Sequence, residues 1–417
     1  MTDGFFSGTN APLIALFKLL GSSGFLRLGG HDVDSRHWLA TAPLVAGGQV
    51  SANVGTVAVD GLAAFLTATG WQVLYGMNLQ SETTADADVG EATYAASKLG
   101  TSLHVFELGN EWSGASLQTR WETFYAAIEA AVPNAPFGGP EGCCSTAYSV
   151  SFAQAEASKI KLLTYHHYVA GAGSANATAA TLLAPDTGMI ADAKTMVAAA
   201  NTNKIQEGFR WGEINTYSGH GQQGVSDAYV SALWGVDDML TGAENGVIGV
   251  NYHGGGENQD GNTCTNGPTS CIKPFRYSPI DTTSGQVTGA APLYYGMLFV
   301  SQAGTGSLLG TTASFGTLNV TAYTISQADG STNVVIVNKD ETNGLNASVD
   351  VGAAVTSANA TYLQGPSLTS TTGVTFAGAG VSAAGDWTPN PPYSLPTKGN
   401  VVTVVVPPIS AVLVHAQ

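Results

Sequence analysis

Over its first 300 residues the chain alternates short apolar runs with longer stretches of helical period. Candidate strands are GFLRLGG (24–30), WQVLYGMN (71–78), LHVFELGNE (103–111), APFGGPEG (135–142), KLLTYHHYV (161–169), FRWGEIN (209–215) and GVIGVNYHG (246–254). Helical patterns lie before and between them, at 11–21, 59–70, 118–131, 190–203 and 225–245. Strand–helix repetition of this kind builds an α/β sheet of parallel strands with helices on the outside. The runs end in Gly, Asn, His, Tyr or Glu, so polar side chains collect at one rim. The pattern predicts a (β/α)8 TIM-type barrel over residues 1–304. Such a barrel needs eight strands and seven are visible. The first should precede the helix at 11–21, where only MTDGFFSGTN stands, so that strand is expected to be missing or displaced.

The texture changes after about residue 305. TLNVTAYTIS, TNVVIVNK, ASVDVG, ATYLQG and NVVTVVVPPISAVLVHA are short alternating runs separated by Asn, Gly, Ser and Thr. They predict a C-terminal antiparallel β-sandwich over residues 305–417, with the proline-rich WTPNPPYSLPTKG (387–399) as a loop.

Composition narrows the function. Of 417 residues 44% are hydrophobic and only 11% charged, with 52 glycines. A large core and a surface rich in Ser, Thr, Asn and Gly suit a secreted or periplasmic protein. MTDGFFSGTN lacks the basic start and apolar core of a signal peptide, so secretion implies a segment already removed. The net charge is −16 and the 14 Lys and Arg are scattered. Without a basic stripe, nucleic acid is excluded as a partner, and a long polyanion in a wide groove is disfavoured. No run of 18 apolar residues is present, which gives no reason to expect a membrane. Cys264 and Cys271 could close a polar loop by a disulfide, whereas the adjacent Cys143 and Cys144 read as buried thiols. No metal-ligand spacing and no nucleotide-binding glycine frame occurs, so no metal and no cofactor is expected. Oligomeric state leaves no trace in the sequence.

The chemistry is concentrated in two segments. In VFELGNEW (105–112) an apolar run leads directly to Asn110-Glu111, and FRWGEINTYSGHG (209–221) carries Glu213 in the same setting. Carboxylates at the C-terminal tips of barrel strands are where such a fold places catalysis. Two of them, on opposite sides of one mouth, can approach the roughly 5 Å spacing of a retaining glycosidase pair. Asn110 is then placed to donate to a sugar 2-hydroxyl.

LGNEW resembles the Asn-Glu motif of the clan A glycoside hydrolase barrels. Within that clan the chain resembles glycoside hydrolase family 79, the β-glucuronidase and heparanase family. FFSGTNAPLIALFKLLG, LRLGGHDVD, TYHHY, GEINTYSGHG, SALWGVDDML, GVNYHGGG, RYSPI and APLYYGML carry the likeness, which spans nearly all of 5–300. The resemblance implies Glu111 as acid/base and Glu213 as nucleophile. It implies a partner that is a glucuronic acid-containing carbohydrate, cut by an exo-acting retaining β-glucuronidase. An endo-acting, heparanase-like enzyme and a non-catalytic carbohydrate-binding relative stay open, as does the aglycone.

The resemblance also places the loop at Gly29-Gly30-His31-Asp32 over the sugar, making His31 and Asp32 candidate hydroxyl ligands. In TYHHY, alternation sends Tyr165 and His167 to one side and His166 and Tyr168 to the other. One tyrosine should bond Glu213, and Tyr165 is favoured. The segment Tyr217-Ser218-Gly219-His220-Gly221 is expected to hold the sugar carboxylate through the Tyr217 hydroxyl and the N–H groups of Ser218, Gly219 and Gly221. Arg210 alternates away from Glu213 and should lie outside the pocket. Tyr277, Tyr294 and Tyr295 are weaker candidates.

Overall fold

The computed structural model describes residues 1–82, 84–255 and 275–417. Cys264 and Cys271 lie outside the described residues.

Seven parallel strands form one sheet in chain order. They are β1 (Phe25–Leu28), β2 (Gln72–Met77), β3 (Leu103–Leu108), β4 (Phe137–Gly142), β5 (Leu162–Gly171), β6 (Phe209–Ser218) and β7 (Val250–Tyr252). The two edges curl toward each other, and the Asn251 side chain on β7 donates to the Phe25 carbonyl on β1 at 2.9 Å. The sheet is thus a nearly closed TIM-type barrel. The expected first strand is not formed among the described residues: the chain before the helix Ala11–Leu20 makes turns.

The helices ring the sheet as the apolar pattern demands. Val59, Leu62, Phe65 and Leu66 of the helix Thr56–Thr69 share one buried core with Trp121, Phe124 and Ile128 of the helix Ala115–Ala131 and the outward side chains of the strands. Inside the barrel the lower layer is Leu74, Val105 and Leu162, with Phe25 packed against them. Three helices not evident from the pattern complete the ring, at Asp86–Leu99, Thr146–Glu156 and Pro292–Ala303.

Beyond the helix Pro292–Ala303 the chain is antiparallel. The larger sheet runs in the order Ser307–Leu309, Val320–Ser326, Thr332–Asn338, Ser410–Ala416, Ala358–Gln364 and Thr375–Phe376. A smaller sheet of Leu345–Asp350, Val401–Val406 and Thr397–Lys398 covers it. Period-two alternation assigns the faces. Val334 and Ile336 meet Val402 and Val404 between the sheets, whereas Val335 and Val337 face the barrel side with Leu233 and Phe299. Within the proline-rich segment, Tyr393–Ser394 and Thr397–Lys398 form short strands, so it is not loop throughout.

Two irregularities in strand pairing matter for the site. β5 and β6 slip register between Tyr165 and His166, and β6 and β7 slip between Trp211 and Ile214. Gly212 is the residue at the bulge: a Cβ there would lie 2.4 Å from a Glu141 carboxylate oxygen. The slip reverses the side to which strict alternation would send Arg210. Arg210 lies inside the barrel, stacked 4.5 Å over the Phe25 ring and bonded to Asn251 at 3.2 Å.

Candidate active site

The strand ends converge on Glu111 and Glu213. One carboxylate oxygen of each, together with a ring nitrogen of His166, lie within 4.8 Å of one another. The two carboxyls sit in opposite environments. The Glu213 side chain is 6% exposed and Glu111 34%.

Glu213 is held on both oxygens. The Tyr168 hydroxyl donates to Oε1 at 2.6 Å, and His253 Nδ1 is 3.1 Å from the same atom. Arg27 donates to Oε2 at 2.9 Å. Burial alone would raise its pKa, but its interactions with His166, His253 and Arg27 outweigh that and hold it well below the usual carboxylate range. The residue that bonds Glu213 is therefore Tyr168 and not Tyr165. Tyr165 faces outward into the core beside Trp211, and the inner pair is His166 and Tyr168.

Arg27 organises the floor. Its guanidinium donates to Glu107 at 3.0 Å, to Glu213 at 2.9 Å and to the Asn110 side-chain oxygen at 2.8 Å, and is ion-paired with Glu141 at 2.8 Å. A buried cation would ordinarily lose proton affinity, but these carboxylates raise the Arg27 pKa instead. Asn110 is buried and fixed twice, since its backbone N–H also donates to Asp34 at 3.0 Å. Asp34 further accepts from Leu79 and Gln80 and so ties three loops together.

Glu111 occupies a backbone region that L-residues rarely adopt, with φ 58°. Its N–H donates to the Glu141 carbonyl at 2.8 Å, which holds that conformation. Its Oε1 meets His166 Nδ1 at 2.9 Å, and the other ring nitrogen meets Glu141 Oε2 at 2.6 Å. Burial disfavours charge on His166, but the Glu213 charge and the bonds to Glu111 and Glu141 push its pKa up to about 9. Glu111, His166 and Glu213 are spaced to hold a cation. Both His166 nitrogens already face carboxylates, so an ion would have to displace those bonds.

The other expected ligands divide. His31 and Asp32 are exposed on the short helix His31–Ser35, and Asp32 pairs with Arg36 at 2.8 Å. Their loop borders the site: a Cβ on Gly30 would stand 3.7 Å from Glu213 Oε2 and from His253 Nε2. Tyr277 reaches the site through its hydroxyl, 3.0 Å from His253 Nδ1. Tyr217 does not reach it. β6 runs on to Ser218, which leaves Tyr217 a strand residue. Its side chain is buried toward the C-terminal sheets and its hydroxyl donates to the Thr178 carbonyl at 2.6 Å. The Gly221 N–H is likewise taken by the Tyr217 carbonyl at 3.0 Å. Gly219, His220 and Gly221 all have positive φ, and this turn packs against the segment that carries Tyr277. Ser218 is half-buried at the strand's end. Tyr294 and Tyr295 are buried away from the carboxylates and bond the Leu16 carbonyl and the Val381 N–H.

Cys143 and Cys144 follow β4 at the same rim. They are not buried thiols: Cys143 is half-buried and Cys144 exposed.

Sequence reasoning did not single out Arg27, Asp34, Glu107, Glu141 or His253, nor weigh His166 as a partner of Glu111. Arg27, Glu107 and Glu141 shared one signal, a charged residue inside an apolar strand. A buried charge requires partners, so such residues point to one another.

No protein-family model matches the chain, and no curated protein matches it. Solved structures do. A 4-O-α-L-rhamnosyl-β-D-glucuronidase from Fusarium oxysporum 12S, solved with Rha-GlcA, superposes with a TM-score of 0.77 at 19% identity, over 96% of this chain and 90% of that one. An α-L-arabinofuranosidase from Thermotoga maritima gives 0.68 at 14% identity, over 97% and 89%. A family 44 xyloglucanase from Paenibacillus polymyxa gives 0.67 at 11% identity, over 96% and 94%. The chain therefore shares the fold of these glycoside hydrolases, a barrel followed by a β-sandwich. The expected likeness to a glucuronidase is met at the level of that fold.

Proposed function

We propose that the protein is a retaining β-glucuronidase of glycoside hydrolase family 79 type, acting on terminal glucuronic acid. The observation that carries this reading is the carboxyl pair: oxygens within 4.8 Å, one carboxyl buried and held ionised, the other partly open to solvent. Retention needs that spacing and that inequality. Glu213 attacks the anomeric carbon as Glu111 protonates the departing oxygen. Glu111 then takes a proton from water, which releases the sugar. Asn110, with its side-chain oxygen anchored on Arg27, is left with its amide N–H groups for the 2-hydroxyl. The similar rhamnosyl-glucuronidase favours glucuronic acid, and the scattered basic residues favour a terminal sugar over a long polyanion. The low charge and the Ser/Thr/Asn/Gly-rich surface suit work outside the cytoplasm. No helix among the described residues is long and apolar enough to cross a membrane.

The test is product release from aryl β-glucuronide, β-glucoside, β-galactoside, β-xyloside and α-arabinofuranoside, with a glycosaminoglycan polymer in parallel. Cleavage of the glucuronide with retained configuration is expected. Hydrolysis of another sugar alone would keep the glycosidase and remove glucuronic acid, and faster cleavage of the polymer would make the enzyme endo-acting. Binding without turnover on every substrate would leave a carbohydrate-binding protein.

A further inference from the structure

We propose that His166 stores the proton that Glu111 delivers, and that Glu141 is the positioning residue that keeps His166 in that role. The inference rests on the reading of Glu111 as general acid/base.

The argument begins from what each atom can donate. Glu141 is ion-paired with Arg27 at 2.8 Å and faces His166 Nε2 at 2.6 Å. A carboxylate so placed only accepts, so Nε2 carries a hydrogen. The bond between His166 Nδ1 and Glu111 Oε1, 2.9 Å long, then holds one proton that can sit at either end. With the proton on nitrogen the two are an ion pair; with it on oxygen they are a neutral imidazole and a carboxylic acid. The same hydrogen bond serves both states. Glu111 can thus become an acid without drawing a proton from solvent.

Substrate supplies the reason to move it. Glu111 is partly exposed in the free protein, whereas the His166 ring is fully buried. A sugar covering Glu111 removes the water that solvates its charge, which favours the neutral pair. In the first step the Nδ1–H bond breaks and an O–H bond forms on Glu111. That proton passes to the glycosidic oxygen as the C1–O electron pair leaves with it and Glu213 bonds to C1. In the second step water bonds to C1 as the C1–Glu213 bond breaks and returns its electron pair to the carboxylate, and the water's proton returns through Glu111 to Nδ1. Throughout, Nε2–H stays on Glu141.

The charged groups around the ring are Glu111 after β3, Glu141 on β4, Glu213 on β6 and Arg27 on β1. Against burial and the Arg27 charge, the three carboxylates keep the ring's proton to about pH 9. The store therefore remains filled far above the range in which an isolated glutamic acid, near 4.3, keeps its own.

The experiment is kcat/KM against pH for phenyl glucuronide and 2,4-dinitrophenyl glucuronide, in the wild type and in His166→Gln, Glu141→Gln and Glu111→Ala. In the wild type the alkaline limb on the phenyl substrate should lie near 9. His166→Gln should bring it down by several pH units, and Glu141→Gln should move it less in the same direction. A limb that stays in place would make His166 merely structural, and one that moves up would make its charge only a suppressor of Glu111. Either overturns the proposal. Glu111→Ala separates the underlying reading: equal losses on both substrates would remove Glu111 as the acid. If the variants do not fold, 15N-histidine NMR on the wild type decides. His166 should be an imidazolium when free and the neutral Nε2–H form when an uncleaved S-linked glucuronide is bound. An imidazolium in both states would overturn the store.

Discussion

Replacing Tyr168 by Phe should raise the acid limb of activity by about one to two pH units. The Tyr168 hydroxyl lies 2.6 Å from Glu213 Oε1 and stabilises the ionised carboxylate. A hydrogen bond to a charged group contributes roughly 1.5–3 kcal/mol. At about 1.36 kcal/mol per pKa unit, its loss raises the carboxyl by roughly 1–2 units. His253 stays 3.1 Å from the same oxygen and Tyr277 still supports His253, so the lower half of that range is expected. Glu213 starts well below the ordinary carboxylate range, so the variant limb is expected above the wild-type one. The assay is kcat/KM on an aryl glucuronide from pH 3 to 8, which reports groups of the free enzyme. Tyr165→Phe serves as the contrast, because that ring faces the outer core beside Trp211. A limb that moves in Tyr165→Phe, or stays fixed in Tyr168→Phe, would refute the geometry of this argument.

Arg27→Met should lower stability by about 3–5 kcal/mol, since it leaves buried carboxylates without their cation, and calorimetry should show the drop. Tyr217→Phe should cost only about 0.5–1.5 kcal/mol of stability and leave the glucuronide-to-glucoside ratio of kcat/KM unchanged, a changed ratio being the result against this placement. Thermal stability should decline as pH rises from about 5 to 9, measured as Tm by calorimetry. Burial raises Asp88 to about 9 and Glu91 and Asp238 to about 7. The unfolded chain releases these protons at about 4, so each group favours unfolding as pH climbs toward its folded value. His166 and His167, both raised to about 9, contribute stability that is full below about 6.5 and lost through 9, in the same direction. A flat or rising Tm over that window would count against the buried protonated acids.

Much of the barrel was legible because its strands are apolar on both faces. All seven candidate runs contain a strand, from Phe25–Leu28 to Val250–Tyr252. The helix Asp86–Leu99 escaped because DADVGEATYAASKL buries small residues such as Ala92 and Ala95 next to Asp88 and Glu91, which blurs the apolar stripe. At the site, a strand ending in Asn-Glu or Gly-Glu was enough to pick out Glu111 and Glu213. Their supports were hidden for a different reason. Alternation says which residues share a side, not which side faces the axis, so Tyr165 and Tyr168 could not be told apart. The bulge at Gly212 breaks alternation altogether, and no local signal announces it. Tyr217 was misplaced because β6 extends three residues beyond the run that could be read as apolar.

The arrangement of charge explains why the nucleophile tolerates an arginine. A guanidinium devoted to Glu213 would occupy its lone pairs and blunt its attack. Here Arg27 is divided among Glu107, Glu141, Glu213 and Asn110, so Glu213 receives one of its N–H donors. The division needs carboxyls beneath the site, and these bring their own cost of burial. Glu107 and Glu141 each leave one buried oxygen without a donor. A proton on Glu107, shared with Glu141, gives both oxygens a partner. Burial and the neighbouring Glu141 charge favour that proton by raising Glu107 well above the usual range. With Glu107 neutral, Arg27 and His166 face Glu141 and Glu213 as ionised partners. Glu111, open to solvent on one side, is left free to change its charge during the reaction.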